Sequence, residues 1–180
     1  PGGACVPAGR LPQRGGLRTS GGVARVARLL VGHGVGAVRL TGGEPPVRRG
    51  LAALVWQLKG IEGLKDLTLT TNGTLLRRQA ADLAAAGLQR ITVSLDSLDD
   101  EIFQSMNDVH MPGSVVLDGI SAADAAGLRP IKVNAVVKRG VNDHTIVELA
   151  RHFRGTGHIV RFIEFMDVGA TNGWEMQHVV

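Results

Sequence analysis

Three kinds of side chain in this 180-residue chain stand where they could bind or transform a ligand. The first is the run Gly42-Gly43-Glu44-Pro45. Adjacent glycines let a ligand approach the main chain closely, and the Glu44 carboxylate can accept from an amine. The same run also reads as a plain turn before a helix, with Pro45 presetting the entry. The second kind is a set of short polar clusters: Thr70, Thr71 and Asn72; Ser94 and Asp96; Glu164 and Met166. The third is the pair of cations Arg39 and Lys132, each inside an apolar run. They read as contacts to an anionic ligand, most simply phosphate, or as structural partners of an acid such as Asp96 or Glu164. Histidines 33, 110, 144, 152, 158 and 178 show no metal-binding spacing, and no serine has a nucleophile-elbow context. The single cysteine, Cys5, excludes an internal disulfide and any multi-cysteine metal site supplied by this chain alone.

The elements that must position these groups follow from periodicity. Val23, Val26, Ala27 and Leu30 recur at helical spacing, and Gly32 and Gly34 end that helix. Strands are expected at Val35–Leu40, Asp66–Thr70, Arg90–Leu95, Pro130–Val137 and His158–Phe165. Helices are expected over 49–59, 75–86, Asp99–Met106, Val115–Ala126 and Asp143–Phe153, with Asp99 and Asp143 as caps. Leu51, Leu54, Val55 and Leu58 share one helix face, and Trp56 beside it is read as packing. Trp174 has no periodic context. Strand and helix alternate throughout, which argues for parallel βαβ units in an α/β fold. No G-x-G-x-x-G follows the first strand, which weakens a dinucleotide-binding sheet.

The strand faces sharpen the choice. Thr68, Thr70 and Asn72 oppose Leu67, Leu69 and Thr71. Thr92, Ser94 and Asp96 oppose Ile91, Val93 and Leu95. Lys132, Asn134 and Val136 oppose Ile131, Val133, Ala135 and Val137. Parallel strands covered on both faces read as continuous apolar runs, and these do not. A barrel whose lumen takes a polar ligand accounts for the pattern. A filled barrel core would carry Val, Ile and Leu on that face. In such barrels ligands sit at the carboxyl ends of the strands, where all the polar clusters fall.

Composition bounds the function class. The chain is 44% hydrophobic, which suits a domain with a real core. Its net charge is +4, yet Arg10, Arg14, Arg18, Arg25, Arg28 and Arg39 are the only charged residues before Glu44. The remainder is a slightly acidic globule, so no nucleic-acid partner is expected. No apolar run is long enough for a membrane span and no targeting signal is seen, so a cytoplasmic location without membrane contact is expected. Residues 1–22 are rich in Gly and Pro and are set apart as a divergent segment before a barrel unit over 23–180.

The motifs, taken in order, are Leu-Thr-Gly-Gly-Glu-Pro (40–45), Leu-Thr-Thr-Asn-Gly (69–73), Val-Ser-Leu-Asp-Ser (93–97) and Lys-Val-Asn-Ala-Val (132–136). Arg-Gly-Val-Asn-Asp (139–143), Arg-Phe-Ile-Glu-Phe-Met (161–166) and Gly-Ala-Thr-Asn-Gly-Trp (169–174) follow. The series resembles the GTP 3′,8-cyclase family of molybdenum cofactor biosynthesis, which are radical S-adenosylmethionine enzymes. The likeness is close over 35–180 and loose over 5–34. It implies a partial (βα)6 TIM-like barrel of which five strands are present. It implies S-adenosylmethionine at Gly43, Ser94 and Met166, with its amino group near Gly42 and Glu44. GTP would be met by Arg39, Thr70 and Lys132, and Cys5 would be an iron ligand of a 4Fe-4S cluster. The family's lyase chemistry uses a 5′-deoxyadenosyl radical to turn GTP into (8S)-3′,8-cyclo-7,8-dihydroguanosine 5′-triphosphate. The family also implies a homodimer, and a product passed to the cyclic pyranopterin monophosphate synthase.

The departures from the pattern are specific. The family's cluster needs Cys-x-x-x-Cys-x-x-Cys, and here Cys5 alone is present, with Gly2 at the middle position. The first barrel strand and a C-terminal domain with a second cluster have no counterpart. The chain therefore reads as a fragment, inactive by itself. Two alternatives stand beside that reading. One is another radical S-adenosylmethionine enzyme with the same Gly-Gly-Glu-Pro loop, such as a peptide-modifying one. The other is a non-catalytic nucleotide-binding scaffold.

Overall fold

The computed structural model describes residues 19–107, 111–168 and 173–180. Helix α1 (Ser20–Gly32) opens on Thr19, whose hydroxyl accepts from the Gly22 amide at 3.1 Å. A side-chain acceptor there satisfies one of the orphan donors of the first turn. The helix therefore begins three residues before the apolar pattern does. Its buried face also differs from the expected one. Ala24 and Ala27 are buried, whereas Val26 and Leu30 are exposed.

The remaining elements alternate in chain order. Strand β1 (Ala37–Leu40) leads through a 3-10 turn at Pro45–Val47 to α2 (Leu51–Lys59). Then come β2 (Asp66–Thr71), α3 (Leu76–Ala85), β3 (Arg90–Ser94), α4 (Asp100–Met106) and α5 (Gly113–Ala125). Strand β4 (Lys132–Val137), a 3-10 turn at Asp143–Thr145, α6 (Ile146–Phe153) and β5 (Ile159–Glu164) complete the alternation. A last 3-10 turn spans Met176–His178. Asp99 caps α4 as expected, its carboxylate accepting from the Ile102 amide at 3.0 Å. Asp143 does not cap α6. It lies within the 3-10 turn and accepts from the Gly140 amide at 3.0 Å, because Asn142 takes over the organisation of that corner.

All strand pairs are parallel, and the five strands lie in the order β1-β2-β3-β4-β5. The apolar faces expected from alternation are the buried ones. Leu67, Leu69, Ile91, Val93, Leu95, Ile131 and Val133 are essentially inaccessible and pack with the helices. Leu51, Leu54, Val55 and Leu58 of α2 join this core, while Trp56 stays 69% exposed and is not a packing residue. The turn after β2 and helix α5 approach closely at two glycines. A Cβ on Gly119 would meet the Gly73 carbonyl oxygen at 2.5 Å, and one on Gly73 would meet Val116 at 2.8 Å.

Candidate ligand-binding site at the strand ends

The opposite sheet face carries the polar residues, and the register sorts them into rows. Arg39 pairs with Thr68, and Thr68 with Arg90. Thr70 pairs with Thr92, and Thr92 with Lys132. Ser94 pairs with Asn134, and Asn134 with Arg161. Neighbouring strands lie about 4.8 Å apart, so Thr70 and Lys132 stand about 10 Å from each other across Thr92. Ser94 lies one row nearer the carboxyl ends than those two. Arg39 lies one row further back, exposed on the edge strand.

Gly42 and Gly43 follow β1 after Thr41, with φ of 98° and 36°. Both values lie in the region that a Cβ disfavours. A Cβ on either would meet nothing within 4 Å, so the main chain here is open to a close neighbour. Glu44 follows Gly43 in the chain. It accepts from the Thr71 hydroxyl with one oxygen and from the Asn72 amide at 2.8 Å with the other. Its carboxylate thus anchors the glycine loop to the end of β2. Burial raises its pKa, and these two hydrogen bonds work against the rise.

Asp96 lies two residues beyond Ser94. Its Oδ1 accepts from the Val136 amide at 2.7 Å, one step past the last ladder pair of β3 and β4. Burial pushes its carboxyl up to about 6, with the Val136 hydrogen bond opposing the shift. Asn142 closes the same corner. Its side-chain amide donates to the carbonyls of Asp96 and Val136, each at 2.8 Å, and its Oδ1 accepts from the Lys138 amide at 2.8 Å. Sequence reasoning passed over Asn142. Its one signal was the turn-forming Gly-Val-Asn-Asp run after a strand.

The cations on this face are mostly without acids. Arg90 pairs with Asp66 at 2.6 Å. Among the described residues neither Arg39 nor Lys132 forms an ion pair, so the structural pairing with Asp96 or Glu164 is not made. Glu164 pairs in register with Val137, which puts it on the helix side of the sheet. Arg161, also unflagged by sequence reasoning, donates to Asn134 Oδ1 at 2.9 and 2.7 Å. A neutral amide orients that guanidinium without cancelling its charge.

Met166 lies two residues beyond β5 and is 42% exposed, at the same end of the sheet as Gly42 and Gly43. Trp174 now has a role: its indole N–H donates to the Phe165 carbonyl at 3.0 Å. The Lys138 ammonium sits 4.8 Å over the Phe165 ring, and the Arg139 amide donates to the His178 carbonyl at 2.9 Å. Together these contacts join residues 173–180, the segment after β5 and the loop after β4. Cys5 lies outside the described residues. Among the described residues no group of three or more His, Cys, Asp or Glu stands together as a metal site, and no helix is long and apolar enough to cross a membrane.

A parallel α/β sheet with polar groups toward the carboxyl ends of its strands is the architecture of a partial barrel domain. Residues 6–153 match the Radical SAM superfamily, and the chain belongs to that superfamily. A GTP 3′,8-cyclase of Xanthomonas axonopodis pv. citri is 50% identical to it, over 99% of this chain and 55% of the relative. One of Acidothermus cellulolyticus is also 50% identical, over 93% of this chain and 46% of the relative. One of Staphylococcus aureus is 44% identical, over 91% and 48%. The chain thus spans about half the length of the curated relatives it matches. Among solved structures, Streptococcus suis SuiB superposes with a TM-score of 0.70 at 19% identity, over 88% of this chain and 36% of that one. The anSMEcpe structure with bound AdoMet and a Cp18Cys peptide gives 0.67 at 18%, over 87% and 47%. These two likenesses establish the fold alone.

Proposed function

We propose that the chain is the barrel portion of a GTP 3′,8-cyclase, a radical S-adenosylmethionine lyase of molybdenum cofactor biosynthesis. The observation that carries this reading is the unneutralised charge of the lumen. Arg39, Lys132 and Arg161 face it without an acid partner among the described residues. Such a face suits a polyanion, because neighbouring cations without acids attract a ligand that brings the counter-charge. Curated relatives named for a GTP reaction support a triphosphate as that anion. The alternative of peptide modification rests on likeness of fold only.

In this reading Arg39 and Lys132 hold the GTP phosphates and Thr70 donates its hydroxyl beside Lys132. S-adenosylmethionine lies along the strand ends, against the open main chain of Gly42 and Gly43, the Ser94 hydroxyl and Met166. The open glycine pair and the polar rows fit that cofactor. In the family this cofactor would supply a carbon radical once a reduced 4Fe-4S cluster gives it an electron. Glu44 keeps the glycine loop fixed on β2, and the Asp96–Asn142 corner fixes β3 against β4. These contacts tie the substrate and cofactor rows to one framework before either ligand arrives. A 4Fe-4S cluster needs three thiolates. These 180 residues contain one cysteine, so they do not fit the cluster by themselves, and no step is routed through it.

Calorimetry on the full-length protein that contains this chain tests the reading. Lys132→Ala should weaken GTP binding about tenfold or more, the loss of one charge-assisted contact, and leave S-adenosylmethionine binding nearly unchanged. Equal loss of both ligands, or no GTP binding by the unaltered full-length protein, would overturn it.

A further inference from the structure

We propose that Thr71 is a positioning residue for S-adenosylmethionine: from the helix side of the sheet it fixes the Gly42–Gly43 loop through the Glu44 carboxylate, and so sets the affinity of a ligand it does not touch. The inference rests on the reading above, in which that cofactor lies against the open main chain of the two glycines.

Three observations carry it. The first is that Thr71 is kept from the ligand. It closes β2, pairs in register with Val93 and is 3% exposed. By alternation it shares the face of Leu67 and Leu69, whereas Thr70 beside it faces the lumen. A hydroxyl in that apolar layer needs partners of its own. It has two: it donates to Glu44 and accepts from the Gly73 amide at 3.0 Å.

The second is the chemistry of the clamp. Glu44 meets two donors from consecutive residues, the Thr71 hydroxyl on one oxygen and the Asn72 amide on the other at 2.8 Å. A carboxylate accepts at both oxygens. A glutamine offers one, and would set its own N–H groups against the second donor. Two points of attachment fix orientation as well as position. Burial raises the Glu44 pKa, and the Thr71 hydroxyl is the larger of the two hydrogen bonds that oppose the rise.

The third is that the loop has no other source of order on its glycine side, whereas its template is rigid. Paired glycines have little conformational preference of their own, so the arrangement at Gly42 and Gly43 must be imposed by a neighbour. The turn that follows Thr71 has no slack. A Cβ on Gly73 would meet Val116 at 2.8 Å and Val93 at 2.9 Å. Helix α3 adds a second tie from the same unit, the Gln79 side-chain amide donating to the Pro46 carbonyl at 2.9 Å. The β2–α3 unit thus holds the loop on both sides of Glu44. A ligand that needs one loop arrangement binds more weakly in proportion to the time the loop spends elsewhere.

The test uses the full-length protein that contains this chain, titrated by calorimetry with S-adenosylmethionine and with GTP. Thr71→Val, which keeps the shape and removes the hydroxyl, should weaken S-adenosylmethionine about tenfold, the loss of one hydrogen bond to a charged group. GTP affinity should stay within about twofold, inside the ordinary scatter of a distant change. Thr71→Ser should restore the cofactor affinity. In the ligand-free protein, amide exchange at Gly42–Glu44 should quicken in Thr71→Val and not in Thr71→Ser. Combining Thr71→Val with Glu44→Gln should cost little more than the worse single change, because both break one path. If Thr71→Val fails to fold, Gln79→Ala releases Pro46 from the same unit and should weaken the cofactor about threefold. Unchanged cofactor affinity in Thr71→Val, or in Gln79→Ala where it stands in, would overturn the assignment and leave the functional reading standing. So would equal weakening of both ligands, or a serine no better than valine. An unaltered protein that binds no S-adenosylmethionine would overturn the functional reading and this inference together.

Discussion

Replacing Asp96 by Asn should make the protein more stable at neutral pH, and the gain should vanish in acid. Burial raises the Asp96 carboxyl from 3.8 to about 6. That difference corresponds to about 3 kcal/mol of preference for the neutral form in the folded state. Below about pH 4 the carboxyl is protonated both folded and unfolded, and no difference arises. As pH rises through the window from about 4 to 6, the unfolded chain releases this proton while the folded chain keeps it, so stability falls. Above about 6 the folded carboxyl is ionised too, and the full cost of up to about 3 kcal/mol is present. Asn keeps the acceptor for the Val136 amide at 2.7 Å and never carries that charge. Urea unfolding followed by circular dichroism at pH 3.5, 5 and 7.5 measures the gap between the two chains. It should open from near zero to about 2–3 kcal/mol in favour of Asn. Parallel stability profiles, or an Asn variant weaker at pH 7.5, would show that Asp96 is not held in a desolvating site.

Val133→Asp places a charge at a position with no accessible surface and should cost about 3–5 kcal/mol in an unfolding titration. An unchanged melting curve would mean that β4 presents its other face to the helices. Asn142→Ala orphans the Asp96 and Val136 carbonyls and the Lys138 amide. It should cost about 2–4 kcal/mol, with hydrogen exchange accelerating first at Lys138; uniform exchange would refute a local role.

The faces of the sheet were legible because a period of two survives in β2, β3 and β4. Each places Val, Leu or Ile on one side and Thr, Ser, Lys or Asn on the other. Strand β5 blurs that signal. Ile163 pairs with Val136 on the polar side, so Ile-Val-Arg-Phe-Ile-Glu shows no clean alternation and Arg161 escaped notice. Helix α1 misled for a different reason. Its valines, leucines and alanines spread around the cylinder, and the small Ala24 and Ala27 turn inward while Val26 and Leu30 stay out. Glu44 holds its loop to the end of β2. Its partners Thr71 and Asn72 are 27 and 28 residues away, a separation that local pattern does not report. The same distance effect hid Asn142, which reaches back to the end of β3.

Spatial order in this sheet equals chain order, from β1 to β5. Each strand from β2 to β5 therefore finds a partner already synthesised, one helical crossover upstream, and none of them must wait for a distant segment. Loop-closure entropy is lost in small, similar steps. During synthesis, which proceeds from the N-terminus at roughly 5–20 residues per second, each strand–helix unit can dock as it emerges on the sheet edge left by the one before. The growing edge is covered in the order in which it is made, and the assembly line of the ribosome and the geometry of the barrel run in the same direction.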